Sequence, residues 1–199
     1  MSFCMKTILQ VGSPILEKKS KKVEIKNIAV YMDIINDLLA VCKGNPGSTA
    51  GISAPQISEN VEILIARRID IEDKYEKEKK KIPQDAQKNI WEIIINPVIL
   101  TKSSDKTIFW EGCLSVGKGE DRLFGPVERP SKIEFEYYSP HGDKRTLKAT
   151  GYFAHVVQHE IDHLNGILFI AHVKNPVNLW KSKDLDTYLN QHGEFPEIL

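Results

Sequence analysis

Apolar residues at Ile28, Val30, Met32, Ile34, Ile35, Leu38 and Leu39 fall largely on a 3.6-residue period. That spacing predicts an amphipathic helix from Ile25 to Val41, ending near Gly44-Asn45-Pro46-Gly47, where glycine and proline break it. Upstream, the segment ILQVGSPIL carries a Gly-Ser-Pro turn. Three apolar runs then predict strands: Val61-Glu62-Ile63-Leu64-Ile65-Ala66, Ile93-Ile94-Ile95 before Asn96-Pro97, and the alternating Ile133-Glu134-Phe135-Glu136-Tyr137. The turn residues Pro140-His141-Gly142-Asp143 join the last of these to a partner through Thr146 and Leu147, which makes a hairpin. From Gly151 the pattern is helical again, with Phe153, Val156, Val157, Ile161 and Leu164 at three- and four-residue steps. A last helix is predicted over 177–190, with Leu179, Trp180, Leu185 and Leu189 as its apolar contacts. Strands first, with helices at the middle and end, suggest an α+β domain rather than a βαβ sheet.

Length and charge narrow the class. The 199 residues fit a single domain, 1–199, and 41% hydrophobic residues suffice for a real core. Basic and acidic residues both number 27, so the net charge is zero and the usual electrostatic case for a generic nucleic-acid or anionic-membrane binder is gone. No apolar run approaches the ~20 residues of a spanning helix. The N-terminus lacks a signal-peptide apolar stretch, and the first arginine is Arg67, which argues against a transit peptide. Cys4, Cys42 and Cys113 are odd in number and far apart, so a disulfide framework is not expected and the chain reads as cytoplasmic. Residues 72–81 hold four acids and five bases, which cancel as in a solvated loop or short surface helix. The run Lys18-Lys19-Ser20-Lys21-Lys22 reads as a solvated turn rather than an RNA contact.

The strongest chemical signal is His159-Glu160-Ile161-Asp162-His163. Histidines four apart share one helix face and can reach one metal ion, with Glu160 beside them to take a proton from water. The bland alternative is a pair of incidental histidines on an amphipathic helix. A catalytic metal needs a third protein ligand, and the residues after the helix, among them His172, Asp184 and Asp186, form no recognisable follow-on motif. Cys113, in Glu111-Gly112-Cys113-Leu114-Ser115, lies 46 residues upstream of His159 and offers a thiolate. A buried inert thiol is the default for a lone cysteine, and Cys4 and Cys42 keep that reading. In Thr49-Ala50-Gly51-Ile52-Ser53-Ala54-Pro55-Gln56, small residues permit close backbone approach to a ligand and Gln56 adds a neutral amide donor. A surface turn would look similar.

Taken in order and at these intervals, the Gly-containing strand to Gln56, Glu111-Gly112-Cys113-Leu114-Ser115, and Gln158-His159-Glu160-Ile161-Asp162-His163-Leu164 closely resemble the three signature motifs of the peptide deformylase family. The likeness extends through Ile95-Asn96-Pro97 and Asn165-Gly166-Ile167-Leu168-Phe169, over about residues 7–172. It implies an α+β fold with antiparallel sheets around a central helix carrying both histidines. It implies hydrolysis of the N-formyl group from the initiator methionine of nascent polypeptides, releasing formate, as in bacterial protein biosynthesis. Carried over, Cys113, His159 and His163 hold one divalent metal, natively Fe2+, with Zn2+, Ni2+ or Co2+ also found. Glu160 is general base and then acid, and Gln56 with the Leu114 N–H receives the formyl oxygen. Glu111 orients the ligands or makes a plain surface salt bridge. Ala50, Gly51, Phe109, Gly112, Tyr152, His155 and Val156 face the substrate, with Arg122 a looser candidate. The implied partners are formylated nascent peptides, with a transient ribosome contact left open and neither DNA nor membrane.

Departures from the family pattern also matter. Thr49 and Ser53 stand where the first motif normally has Gly and Ala. Tyr152, His155 and Val156 occupy the turn that usually lines the methionine pocket with apolar residues. His155 either packs at the rim or makes that pocket narrower and more polar. The stretch Gly117–Arg129 lacks the usual proline and looks lengthened. A deformylase-like hydrolase with altered substrate preference therefore stands beside the main reading, as does a non-catalytic metal- or peptide-binding module. A general zinc metalloprotease is disfavoured because Cys113 supplies the ligand from upstream.

Overall fold

The structure, a computed structural model, describes residues 6–45, 49–84 and 90–199. Cys4, Pro46 and Gly47 lie outside them. The expected helix from Ile25 to Val41 divides in two. Ile25–Tyr31 is a 3-10 turn interrupted at Asn27, and the α-helix proper, α1, runs Met32–Gly44. Burial differs between the two: Val30 is 76% exposed and Ile25, Ile28 and Tyr31 are only partly covered, whereas Ile35, Leu38, Val41 and Cys42 of α1 are buried.

Strand β1 (Gly51–Ser53) pairs antiparallel with β2 (Ile63–Arg67), and a charged helix, α2 (Ile69–Lys77), follows. Then come β3 (Trp91–Lys102), β4 (Lys106–Gly112), β5 (Leu123–Pro130), β6 (Lys132–Tyr138) and β7 (Lys144–Thr150). Helix α3 (Gly151–Leu164) carries the paired histidines, and β8 (Trp180–Lys181) and α4 (Ser182–His192) close the chain. A five-stranded sheet has the order β1-β2-β3-β6-β7 and a three-stranded one β4-β5-β8, with every pairing antiparallel.

The continuous apolar run of β2 is explained by its two covered faces. Leu64 and Ala66 pack with Phe135, Phe153, Ala154 and Val157 under α3. Ile63 and Ile65 point the other way and pack with Ile35, Leu38 and Ile52 under α1. A third cluster, Leu16, Cys113, Val116, Val127 and Phe169, backs the small sheet. On β3 the register shifts between Ile95 and Val98, because Pro97 has no N–H for the ladder and Asn96 takes a positive φ of 51°. The Asn96 side chain uses that kink to bond both backbone groups of Val23, at 2.8 and 2.9 Å.

Two expectations at the C-terminal end are corrected. Val177 is 64% exposed and sits in a 3-10 turn, Pro176–Asn178, not in a helix. Trp180 pairs instead with Phe124 of β5, so the final helix starts only at Ser182.

Candidate metal centre

Helix α3 sets the frame. Phe153, Ala154 and Val157 seat it on the five-stranded sheet, which turns His159 and His163 toward the smaller sheet. Their rings stand edge to face with centroids 5.0 Å apart. Cys113 follows directly on β4, whose last residue must be glycine: a Cβ on Gly112 would lie 2.3 Å from the Phe124 ring. Sγ of Cys113 is 3.2 Å from Nε2 of His163, and ligand atoms of Cys113, His159 and His163 all lie within 4.8 Å of one another. One thiolate and two imidazoles at this separation fit a borderline divalent cation with an open coordination position.

Charge around the cluster agrees with that fit. Burial alone would raise the Cys113 thiol, but His163 and His159 outweigh it and bring it down to about 5. Burial likewise opposes charge on Glu111, and hydrogen bonds from His155, His159 and Arg129 hold its carboxyl well below the usual range. Glu111 Oε2 accepts the Nδ1–H of His159 at 2.8 Å, which fixes the tautomer and leaves Nε2 for a metal. Arg129 donates to Glu111 at 2.6 and 3.0 Å and to Asp162 at 2.6 Å, and Asp162 also meets His172 at 2.9 Å. Glu111 is thus buried and bonded to His159 and Arg129 rather than a surface salt bridge.

Glu160 is 3% exposed, and its Oε2 has no hydrogen-bond partner. Burial pushes its carboxyl up to about 7, so it can take and release a proton near neutrality. Gly51 makes room for it: a Cβ there would lie 2.7 Å from Glu160 Oε1. Gln56 is held by Ser53, whose N–H and hydroxyl donate to its Oε1 at 2.9 and 3.1 Å. Its Nε2 therefore points at Cys113 Sγ, 3.5 Å away, and at Ser115 Oγ, 3.1 Å away. The N-terminal ILQVGSPIL segment straps these pieces together. Leu9 N–H donates to the Gln56 carbonyl, Val11 N–H to that of Ser115, and Gln10 Nε2 to that of Leu114.

A cavity of about 60 Å³ opens over the cluster, lined by Thr49, Ala50, Gly51, Gln56, Glu111, Gly112, Cys113, Leu114, Tyr152, His155, Val156, His159 and Glu160. The structure therefore brings together the sequence candidates apart from Phe109 and Arg122. Phe109 stands behind the wall, against Tyr152 and His155, and Arg122 lines an adjoining groove of about 440 Å³ with Trp110 and Phe124. Sequence reasoning missed Arg129, Asp162, Ser115 and Thr107. Asp162 lay inside the histidine motif in plain view, whereas nothing local distinguishes Arg129 from any surface arginine.

A buried carboxylate beside a Cys–His–His cluster that could hold a metal, under a small cavity, fits the class of metal-dependent hydrolases. Comparison with known proteins narrows it. The polypeptide deformylase family model matches residues 5–178. Peptide deformylase from Leptospira biflexa is 31% identical over 92% of this chain and 96% of that protein. The one from Pseudothermotoga lettingae is 34% identical over 83% of this chain and 81% of its own. Among solved structures, a class I type b peptide deformylase from Acinetobacter baumannii with Met-Ala-Ser bound superimposes with a TM-score of 0.69 at 27% identity, covering 87% of this chain and all of that one. The Plasmodium falciparum peptide deformylase gives 0.68 at 29% identity, covering 93% and 92%. The chain belongs to the polypeptide deformylase family, metal-dependent hydrolases that remove the N-formyl group from nascent polypeptides.

Proposed function

We propose that Cys113, His159 and His163 hold one Fe2+ ion and that Glu160, Gln56 and the Leu114 N–H carry out deformylation around it. When bound, a divalent cation lowers the pKa of a water and polarises a carbonyl oxygen. Glu160 takes the water proton at its unpartnered Oε2 and returns it to the amine nitrogen as the formyl C–N bond breaks. Formate and a free N-terminus result. Gln56 Nε2 and the Leu114 N–H donate to the former formyl oxygen as negative charge grows there; losing one such donor typically costs ~10²–10³ in rate. A thiolate and two neutral imidazoles would leave a divalent ion there at formal +1, a gentler Lewis acid than one held by three neutral ligands.

The observation that carries this reading is Glu160: a buried carboxylate with one oxygen, Oε2, left without a hydrogen-bond partner, on the helix of the paired histidines and lining the cavity. The substrates are formylated nascent peptides; Met-Ala-Ser, bound in the Acinetobacter enzyme, is what deformylation of formyl-Met-Ala-Ser leaves. A cytoplasmic location and a transient ribosome contact belong to the same proposal. Among the described residues, no helix is long and apolar enough to cross a membrane. The test is anaerobic reconstitution with Fe2+, Zn2+, Ni2+ or Co2+, followed by formate release from formyl-Met-Ala-Ser. Release with Fe2+, lost on exposure to air and better preserved with Ni2+, is the expected result. Binding of metal and peptide with no formate from any metal form would make the chain a binding module instead.

A further inference from the structure

The small cavity over the metal cluster continues outward. Thr49, Ala50, Gly112 and Tyr152 line both it and the adjoining groove of about 440 Å³, so the two meet at a neck formed by these four residues. A formyl group in reach of Cys113 and Glu160 leaves the residues after the first to run out through that neck. The groove they enter carries charge of one sign. Arg67 and Arg122 line it, no carboxylate among the described residues does, and Trp110, Phe124 and Ser182 form much of the remaining wall.

The two arginines differ. The Arg67 guanidinium already bonds Glu72, at 2.7 and 3.2 Å. Among the described residues no carboxylate pairs with Arg122, and its Nε is out of reach of solvent with no hydrogen-bond partner. The acids next to it in sequence are engaged elsewhere: Asp121 pairs with Lys181 at 2.7 Å and Glu120 with Lys183 at 3.5 Å. The backbone here is fixed, because the Ser182 N–H donates to the Arg122 carbonyl at 2.8 Å and β8 pairs with Leu123 and Phe124. Phe195 stacks on Trp110, with centroids 5.3 Å apart, and braces that wall. Ser182 and Phe195 lie beyond residue 178, where the match to the family model ends, and Arg122 lies in the stretch that departs from the family pattern. The groove is thus built in part from segments outside that pattern.

A guanidinium without a counter-charge, set beside aromatic walls, is matched by a carboxylate, which it can meet in a bidentate, charge-assisted pair. We infer that the groove selects formyl peptides with an acidic side chain within the two residues after the formylated one, and that Arg122 is the specificity-determining residue. This rests on the deformylase reading and adds to it a preference among sequences downstream of the first residue. Arg67 is not the partner, since Glu72 holds it.

The experiment measures kcat/KM on the Fe2+ enzyme for C-terminally amidated formyl-Met-Ala-Asp and formyl-Met-Asp-Ala, each against its Asn counterpart, which has the same shape without the charge. Metal content cancels in each ratio. At low salt the Asp form of at least one pair should be favoured about tenfold, the scale of one charge-assisted hydrogen bond. At ~1 M salt, where the Debye length is ~3 Å, most of that preference should vanish. Arg122→Gln should bring the ratio close to unity, Arg122→Lys should keep part of it, and Arg122→Glu should invert it. A merely structural role for Arg122 would lower both rates of a pair together and leave the ratio standing. The salt series needs only the wild-type enzyme, so it decides the matter even where a variant does not fold. Asp-to-Asn ratios near unity in both pairs overturn the inference, and so does a preference that survives Arg122→Gln. If free-acid peptides outrun amidated ones while Asp and Asn stay equal, the groove takes only a chain-end carboxylate and the inference again falls. No formate from any of these peptides would instead sink the deformylase reading itself, so the two failures are distinct.

Discussion

Glu160 and Glu111 are both buried carboxylates beside His159, and their surroundings give them opposite tasks. Glu111 is surrounded by donors and stays ionised; Glu160 has burial as its dominant influence and is raised to about 7. Glu160→Gln preserves shape, and because Oε2 has no partner it breaks no hydrogen bond at that atom. Metal content should stay near wild type while kcat falls by ~10²–10⁴, the share general acid–base catalysis supplies. Parallel loss of metal and rate, read by elemental analysis beside formate release, would make Glu160 a ligand. Cys113→Asp keeps the charge but replaces a soft donor with a hard one, so metal preference should move toward harder ions and turnover should fall. Unchanged competition between Zn2+ and Mn2+ in that variant would take Cys113 out of the coordination sphere. Ser53 belongs at this scale too. It looked like a loss from the family pattern, yet its hydroxyl fixes which way the Gln56 amide faces.

Between elements, Arg129 is the tie. Its guanidinium, from β5, bonds Glu111 on β4 and Asp162 on α3, so one side chain registers the small sheet against the ligand helix. Arg129→Met takes the shared guanidinium from buried Glu111 and half-buried Asp162, which keep only histidine partners, among them His159 and His172, a loss on the order of 3 kcal/mol. For a chain this long, thermal scans should show Tm lower by roughly 10 °C. The pH dependence has a definite sign. Burial alone would raise Asp162, but His172 and Arg129 lower it below its ordinary value. Its stabilisation is therefore complete above about pH 4 and is lost as pH falls through the lowered folded value. Tm should drop steeply below about pH 4 in the wild type and more gradually in the variant. A variant curve that parallels the wild type would mean Arg129 does not hold these acids ionised. The sequence did not disclose this tie, for β4 and β5 lack a clean two-residue alternation. Ile108 is half exposed while Glu111 and Arg129 are buried, so the usual strand signal is inverted where function requires charge inside.

Across the whole molecule, legibility followed the range of the interactions. Elements with one dominant periodicity, such as α3 and the β6–β7 hairpin, were plain from the chain. Elements stabilised by distant partners, such as β8 against Phe124, were not. The candidate metal cluster was legible because its chemistry is written in residue types: histidines four apart and an upstream cysteine. The orphaned Glu160 oxygen was not, because it depends on what folds against it. That difference yields a prediction about stability. Cys113 follows directly on β4 and the histidines sit on α3, so a cation bound to all three cross-links segments 46 residues apart in sequence. It binds the folded chain and not the unfolded one, and so stabilises by RT ln(1 + [L]/Kd), about 2.7 kcal/mol at a hundred times Kd. Stripping the enzyme with a chelator should lower Tm by about 5–11 °C, and re-adding Fe2+ or Ni2+ anaerobically should restore it. Cys113→Ala should start low and hardly respond to either treatment, whereas Glu160→Gln should respond as fully as wild type. Equal chelator shifts in the cysteine variant and the wild type would place the metal elsewhere, and the Cys113–His159–His163 assignment would fall.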